Sequence, residues 1–224
     1  MEQREPGRTV VLGIDPGRNT GLYSVEIPRL NRAMTLDEFQ RDARWLGNAA
    51  VSLSSSEALK PIEKWAALAQ ALRGAMMNVQ PNLVVLEYPA DRLQSWTGGS
   101  AQGTEFHMGM FFGFAALAAQ EYGGHRSVPI ALMPVTSSKK RAREGWMPRV
   151  TERSRNGKRM VTHVQDQETT LRQCGEIAKA LYRNTGASER EYFDHMYALS
   201  KHERMALGVL TFYITHRSPS EWGK

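Results

Sequence analysis

The sequence predicts a mixed α/β domain that carries a β-hairpin at its N-terminus and helices on both faces of its sheet. Short apolar runs typical of strands alternate along the chain with longer segments whose apolar residues recur at helical spacing. Two of the strand-like runs stand together at the beginning, separated only by a turn. The chain has 224 residues, of which 41% are hydrophobic, so it is long enough for one such domain with its own core over residues 1–224.

The elements are predicted in the order β-β-α-β-α-β, a basic loop, and α-α. The hairpin is formed by a strand at 9–15 and a second strand at 21–27, whereas residues 28–55 are too poorly patterned to assign. Two further strands and four helices are predicted: strands 83–87 and 128–135, and helices 61–77, 101–121, 165–184 and 201–215. The apolar residues predicted to face the core include Ile62, Trp65, Leu72, Leu117, Leu207 and Leu210.

Two carboxylates end apolar strand-like runs. Asp15 follows Val10–Ile14, and Glu87 follows Leu83–Leu86. A charge beside such a run costs several kcal/mol unless it is paired or holds a metal. If the two strands are neighbours, the acids meet and provide the oxygen ligands that Mg²⁺ prefers. A structural role is an equal alternative for Asp15, because Asp-Pro-Gly is a common turn. It is a weaker alternative for Glu87, which has no role in a turn.

Positive charge is concentrated in one segment, predicted to be a mobile loop at about 139–164. The net charge is +6 and the pI is about 9.6. The segment begins with Lys139, Lys140, Arg141 and Arg143, and basic residues continue to Arg159. Such a run can be a solvated loop, but this density favours contact with the phosphates of a nucleic acid.

The composition argues against several other classes of protein. No apolar stretch approaches the length of a membrane span, and no signal segment is recognisable at the N-terminus, so we expect a soluble intracellular protein without a membrane partner. Cys174 is the single cysteine and has no Cys or His neighbours at zinc spacing, so it is interpreted as an ordinary, partly buried thiol.

Four runs, taken in order, resemble the RuvC-type Holliday junction resolvases of the RNase H-like nuclease superfamily. They are GIDPGRNTG at 13–21, LEY at 86–88, VTSSKKR at 135–141 and HERMAL at 202–207. The match covers most of the chain in order and spacing. The phage-like branch of the family is the nearer likeness, because HER opens its final helix in the same way.

The resemblance implies an RNase H-like fold and a metal-dependent endonuclease that uses Mg²⁺ or Mn²⁺. It also implies a homodimer that binds branched DNA, the four-way junction, and cuts two strands symmetrically. Position by position, Asp15 matches the first-strand aspartate and Glu87 the central glutamate, which implies that both hold metal. His202 stands where some members have a histidine and others an aspartate, so it would ligate a metal or orient the attacking water.

The last catalytic aspartate of the family is missing, because Met205 stands at its position, three residues after His202. A thioether is a poor ligand for Mg²⁺. Glu203 would replace the lost acid if it swung in from about 100° around the helix, and Asp194 would replace it if the chain before the helix returned to Asp15. Otherwise the protein is catalytically degenerate and binds junctions with little or no cleavage.

Two aromatic residues are candidates to stack on unpaired bases of the opened junction: Tyr88, directly after Glu87, and Trp96 in the loop that follows. Both are equally plausible as packing residues.

A sugar-kinase-like or actin-like phosphotransferase is a further alternative, because Asp-Pro-Gly followed by Thr20-Gly21 resembles its phosphate loop. That fold needs two lobes, and this chain has the length for one. The expected location is the cytoplasm of a bacterial or phage-infected cell, or an organelle if the host is eukaryotic.

Overall fold

One mixed five-stranded sheet forms the centre of the protein. The structure is a computed structural model that describes residues 7–29, 31–53, 60–88, 102–124, 126–134, 150–155, 158–163 and 167–222. The strands of the sheet are β1 (Arg8–Asp15), β2 (Asn19–Pro28), β3 (Arg44–Ser52), β4 (Leu83–Tyr88) and β5 (Ile130–Pro134). They lie in the order β3-β2-β1-β4-β5. β1, β2 and β3 are antiparallel neighbours, while β4 runs parallel to both β1 and β5.

Helices cover both faces of this sheet. They are α1 (Leu36–Asp42), α2 (Pro61–Val79), α3 (Gln102–Gly124), α4 (Gln167–Arg183), α5 (Glu189–Ala198) and α6 (Lys201–His216), followed by a short 3₁₀ helix at Pro219–Glu221. Side chains alternate between the faces of a strand. On β1, Leu12 and Ile14 therefore pack against α2 and α3, whereas Val11 packs against α4 and α6. The predicted α/β class, with an N-terminal hairpin and helices on both faces, is confirmed.

Residues 28–55, which the sequence pattern left unassigned, contain α1 and the edge strand β3. The exposure of β3 does not alternate cleanly, and a bulge interrupts its pairing with β2 between Ser24 and Val25. This strand therefore lacks a regular alternation of buried and exposed residues. It is held in the sheet by its hydrogen bonds to β2. α1 does carry a local signal, because Thr35 and Glu38 form a capping box at its N-terminus.

The basic segment is not a continuous loop, so the prediction of a loop over 139–164 was wrong in part. Strands β6 (Val150–Arg155) and β7 (Lys158–His163) pair as an antiparallel hairpin in which Arg155 lies opposite Lys158. Asn156-Gly157 separates these strands in the sequence, and Asn-Gly between two short strands favours a tight hairpin turn. The part at 139–149 lies outside the described residues.

Most of the predicted core positions are buried, but two are not. Trp65, Leu72, Leu207, Leu210 and Cys174 are buried. Ile62 is 69% exposed, because the buried face of α2 begins only one turn later, at Trp65. Leu117 is 47% exposed, since the inward face of α3 runs through Phe111, Ala115, Ala118 and Tyr122 and leaves Leu117 to one side. Among the described residues, no helix is long and apolar enough to cross a membrane.

The core beneath α6 should dominate stability. Leu210 is fully buried, and its side chain lies against Gly13 of β1. Leu210→Ala should lower the free energy of unfolding by about 2–5 kcal/mol, because it leaves a cavity between helix and sheet. Urea unfolding measures this change. Leu117→Ala on the exposed side of α3 is the matched control, with an expected loss within about 0.5 kcal/mol; equal losses for both would show that α6 is not the central packing element.

Candidate active site

Helix α6 lies unusually close to β1 and β2, and two glycines permit this approach. A Cβ atom placed on Gly13 would collide with the carbonyl oxygen of Ala206, and one placed on Gly21 would collide with the carbonyl oxygen of His202. Gly21 pairs with Asp15 across the hairpin. The contact therefore holds the first turn of α6 beside the carboxyl end of β1.

Asp15 and Glu87 lie at the ends of adjacent parallel strands and on the same face of the sheet. The register pairs Ile14 with Leu86, so the two acids are one step beyond the last paired residues. By the alternation of side chains, Asp15 shares the face of Val11 and Glu87 shares the face of Val85, which is the face that α6 covers. The predicted adjacency of the two strands is confirmed. That the two carboxylates lie within reach of a shared metal stays a prediction.

His202 joins this pair from the first turn of α6. Its Nδ1 atom lies 3.2 Å from Oδ2 of Asp15. In the tautomer with a proton on Nδ1, His202 donates a hydrogen bond to the carboxylate and leaves Nε2 as an acceptor. The side chain of His202 is 33% exposed and that of Asp15 is 16% exposed. The structure thus brings together two of the sequence-predicted site residues and places the third on the neighbouring strand.

Glu203 does not point towards Asp15, because both of its carboxylate oxygens are engaged elsewhere. Oε1 accepts a hydrogen bond from Nδ2 of Asn48 at 2.5 Å, and Oε2 accepts one from the backbone N–H of Ser200 at 2.7 Å. Glu203 is 5% exposed and belongs to the capping box that begins α6. In this arrangement its carboxylate stabilises the start of the helix rather than replacing a missing metal ligand.

The other candidates for the missing acid contribute no carboxylate beside Asp15 in the described contacts. Asp194 lies on α5 with an exposed side chain. Burial, and then the charges of Glu191 and Asp194, raise the pKa of Tyr182, so Asp194 acts electrostatically at that ring. Met205 is partly exposed on α6.

The carboxylates of Asp15 and Glu87 suit a hard cation that takes the rest of its coordination shell from substrate and water. Among the described residues, no group of three or more His, Cys, Asp or Glu side chains could enclose a metal. Mg²⁺, however, is commonly bound through one or two carboxylates, with substrate phosphate and water completing the shell. Asp15 and Glu87 would hold Mg²⁺ or Mn²⁺, with His202 beside them.

The predicted base-stacking and phosphate-binding residues are only partly described. The ring of Tyr88 packs at a tilt against Phe112 of α3, with 5.1 Å between centroids, and its residue is partly exposed. This contact fits an anchoring role and leaves part of the residue accessible. Five predicted DNA-binding residues lie outside the described part of the chain: Trp96, Lys139, Lys140, Arg141 and Arg143.

Asn48 is the residue that sequence reasoning missed. It lies in the unassigned segment 28–55, and its partner Glu203 is 155 positions away in the chain. No local pattern marks an asparagine whose role depends on such a distant partner. Gly21 was predicted to begin the second strand of the hairpin, but its contact with α6 is visible only in the tertiary structure.

Comparisons with solved structures show a likeness to RuvC. The RuvC of T. thermophilus in complex with a Holliday junction substrate is 19% identical, with 92% of this chain and 93% of that chain covered and a TM-score of 0.52. A second Thermus thermophilus RuvC structure is 19% identical, with 91% and 94% covered and a TM-score of 0.50. The yeast mitochondrial Holliday junction resolvase Ydc2 is 15% identical, with 95% and 84% covered and a TM-score of 0.41.

These comparisons define the class of fold. The chain has the RuvC-like, RNase H-like α/β fold over nearly its whole length. The resemblance inferred from the four sequence runs is therefore confirmed for the fold. Neither a protein-family model nor a curated protein matches the chain.

The close contact at Gly21 should be essential to the site. Gly21→Ala should lower the free energy of unfolding by about 1–3 kcal/mol, because a methyl group would push α6 away from the sheet. Chemical unfolding measures the loss. The control is Gly74→Ala on α2, where a Cβ meets nothing within 4 Å, and a gain of about 0.5–1 kcal/mol is expected. A tolerated Gly21→Ala would contradict the close packing.

Proposed function

We propose that this protein is a metal-dependent endonuclease that resolves four-way DNA junctions. The observation that carries the proposal is the meeting of Asp15 with His202 at 3.2 Å, beside the strand that carries Glu87 next to its last residue. It occurs at the carboxyl ends of parallel strands in a fold shared with a RuvC structure that holds a Holliday junction substrate. Carboxylates grouped beside a histidine suit phosphodiester hydrolysis.

In this mechanism the protein contributes binding, orientation and a proton acceptor. Asp15 and Glu87 would hold the cation, which supplies Lewis-acid stabilisation of the charge that develops on the phosphate. His202 keeps the Asp15 carboxylate in place through Nδ1. Its Nε2 atom would then accept a proton from the attacking water, because neutral imidazole is a general base near physiological pH.

The basic part of the chain is proposed to bind the DNA backbone. Lys139, Lys140, Arg141 and Arg143 would contact phosphates, and the net charge of +6 favours association with a polyanion. The hairpin β6–β7 adds further basic residues along the sequence, among them Arg153, Arg155, Lys158 and Arg159. Tyr88 and Trp96 are proposed to stack on unpaired bases where the junction opens.

We further propose that the working form is a homodimer. The candidate site contains one Asp15 and one Glu87 in each chain, so one copy provides one cleavage centre. Resolution of a four-way junction requires two strand cuts. Two copies related by a two-fold axis would place one site at each of two strands of like polarity.

Removal of either acid should stop cleavage. Asp15→Asn and Glu87→Gln should each lower Mg²⁺-dependent cleavage of a synthetic four-way junction by more than about 100-fold, since even residues outside the ligand shell cost 10–100-fold. Junction affinity measured without metal should be retained, because phosphate contacts dominate it.

The control for that experiment is Asp37→Asn, at an exposed acid of α1. Cleavage by the Asp15→Asn variant at the wild-type rate would refute the site. A wild-type protein that binds junctions but does not cut them with Mg²⁺ or Mn²⁺ would instead establish the degenerate junction binder, for which Met205 is the structural reason.

Neutralising the basic segment should weaken binding in a salt-dependent way. Replacing Lys139 and Lys140 by Gln should reduce the slope of log K against log salt by about 1 for each lost phosphate contact. Titration of a fluorescent junction at several salt concentrations measures this slope. Lys179→Gln on α4, where Lys179 pairs with Glu176 at 2.6 Å, is the control that removes a positive charge outside the basic segment. An unchanged slope in the Lys139/Lys140 variant would assign these charges to solvation alone.

A further inference from the structure

A chain of hydrogen bonds links the edge strand β3 to the first turn of α6. The indole N–H of Trp45 donates to Oδ1 of Asn48 at 2.9 Å, and Nδ2 of Asn48 donates to Oε1 of Glu203 at 2.5 Å. Oε2 of Glu203 then accepts from the N–H of Ser200 at 2.7 Å. This series of hydrogen bonds ends at Ser200, two residues before His202.

The direction of these bonds is determined by chemistry. An indole nitrogen can only donate and a carboxylate can only accept, so the oxygen of Asn48 must face Trp45 and its amide must face Glu203. Aspartate has no donor for Glu203, and alanine has neither group. An amide side chain of this length is therefore the match for both partners.

The surroundings of Glu203 make this donor important. Glu203 is 5% exposed, and the nearby hydroxyl of Tyr23 is buried without a hydrogen-bond partner among the described residues. Burial and the negative charge of Glu203 raise the pKa of Tyr23, so the phenol stays neutral. Loss of the Asn48 amide would leave one oxygen of a buried carboxylate without its donor, which is costly.

The same turn of α6 is held from two sides. The backbone of Gly21 contacts the backbone of His202, and the bonds through Glu203 hold the helix toward β3. With both contacts in place, Nδ1 of His202 lies 3.2 Å from Oδ2 of Asp15.

We propose that Asn48 is a positioning residue of the candidate active site, which acts through Glu203 and Ser200 to hold the His202 ring against Asp15. Asn48 itself touches neither His202 nor Asp15 in the described contacts. Its effect on cleavage rests on the proposed nuclease function, whereas its effect on His202 does not.

The test is nuclear magnetic resonance of metal-free protein with ¹⁵N-labelled histidine. In the wild type, the ring nitrogens of His202 should show one tautomer, protonated on Nδ1 and bonded to Asp15. In Asn48→Ala these signals should move towards the averaged values of a free imidazole. A His202 spectrum that stays at the wild-type values in a folded Asn48→Ala protein would overturn the proposal.

The matched control is Ser24→Ala. The Ser24 hydroxyl is buried and donates to the carbonyl of Gly47 at 2.8 Å, so this variant removes a different hydrogen bond of β3, the one that joins it to β2. Ser24 lies on the opposite face from Tyr23, and its loss should leave the His202 signals unchanged. A His202 change of the same size in both variants would also overturn the proposal, because it would show general loosening of β3.

Two further measurements test the role of Asn48. The first measurement uses the wild type and serves if Asn48→Ala does not fold. The side-chain amide protons of Asn48 should exchange with solvent far more slowly than those of an exposed asparagine; fast exchange would refute the bond to Glu203.

The second measurement is the cleavage assay, in which Asn48→Ala should lower kcat by about 10- to 100-fold with unchanged junction affinity. If the wild type does not cleave, the proposed function fails while the histidine spectra still decide the role of Asn48.

Discussion

The close approach of α6 to the β1–β2 hairpin is the constraint on which the rest of the structure depends. It requires the absence of a side chain at Gly13 and Gly21, where the helix backbone occupies the space of a Cβ. The helix then buries its inward residues against the same sheet face that carries Asp15 and Glu87. Packing and site geometry thus share one origin, so a change that moves the helix also moves His202.

The acidic residues of this region lie in two different environments. Asp15 and Glu87 stand at strand ends, where a carboxylate can meet an incoming phosphate and its cation. Glu203 lies a short distance away but is buried, bonded to Asn48 and used to cap α6. The division explains how α6 can begin beside an acidic site without adding a third acid to it. Under the proposed function, substrate phosphate and water would complete the coordination of a metal held by Asp15 and Glu87.

The basic segment illustrates how charge and conformation are independent signals. The mostly polar composition of this segment, interrupted by glycine and proline, predicts a loop. Asn156-Gly157, flanked by Val150–Arg155 and Lys158–His163, nevertheless favours a hairpin, and the strands pair in that register. A hairpin places basic residues on a defined scaffold, which is compatible with the proposed contact with a DNA backbone.

The sequence by itself determined the order of most elements, most of the apolar positions of the long helices, and the placement of Asp15 and Glu87 beside apolar strands. These features depend on local periodicity and on the cost of a charge beside a buried strand, both of which are visible in short windows. Only the tertiary structure decided that β3 completes the sheet, that His202 meets Asp15, and that Glu203 turns towards Asn48. Each of these depends on residues far apart in the chain: β3 is stabilised by pairing rather than by its own pattern, and the direction of Glu203 is decided by a donor 155 positions away.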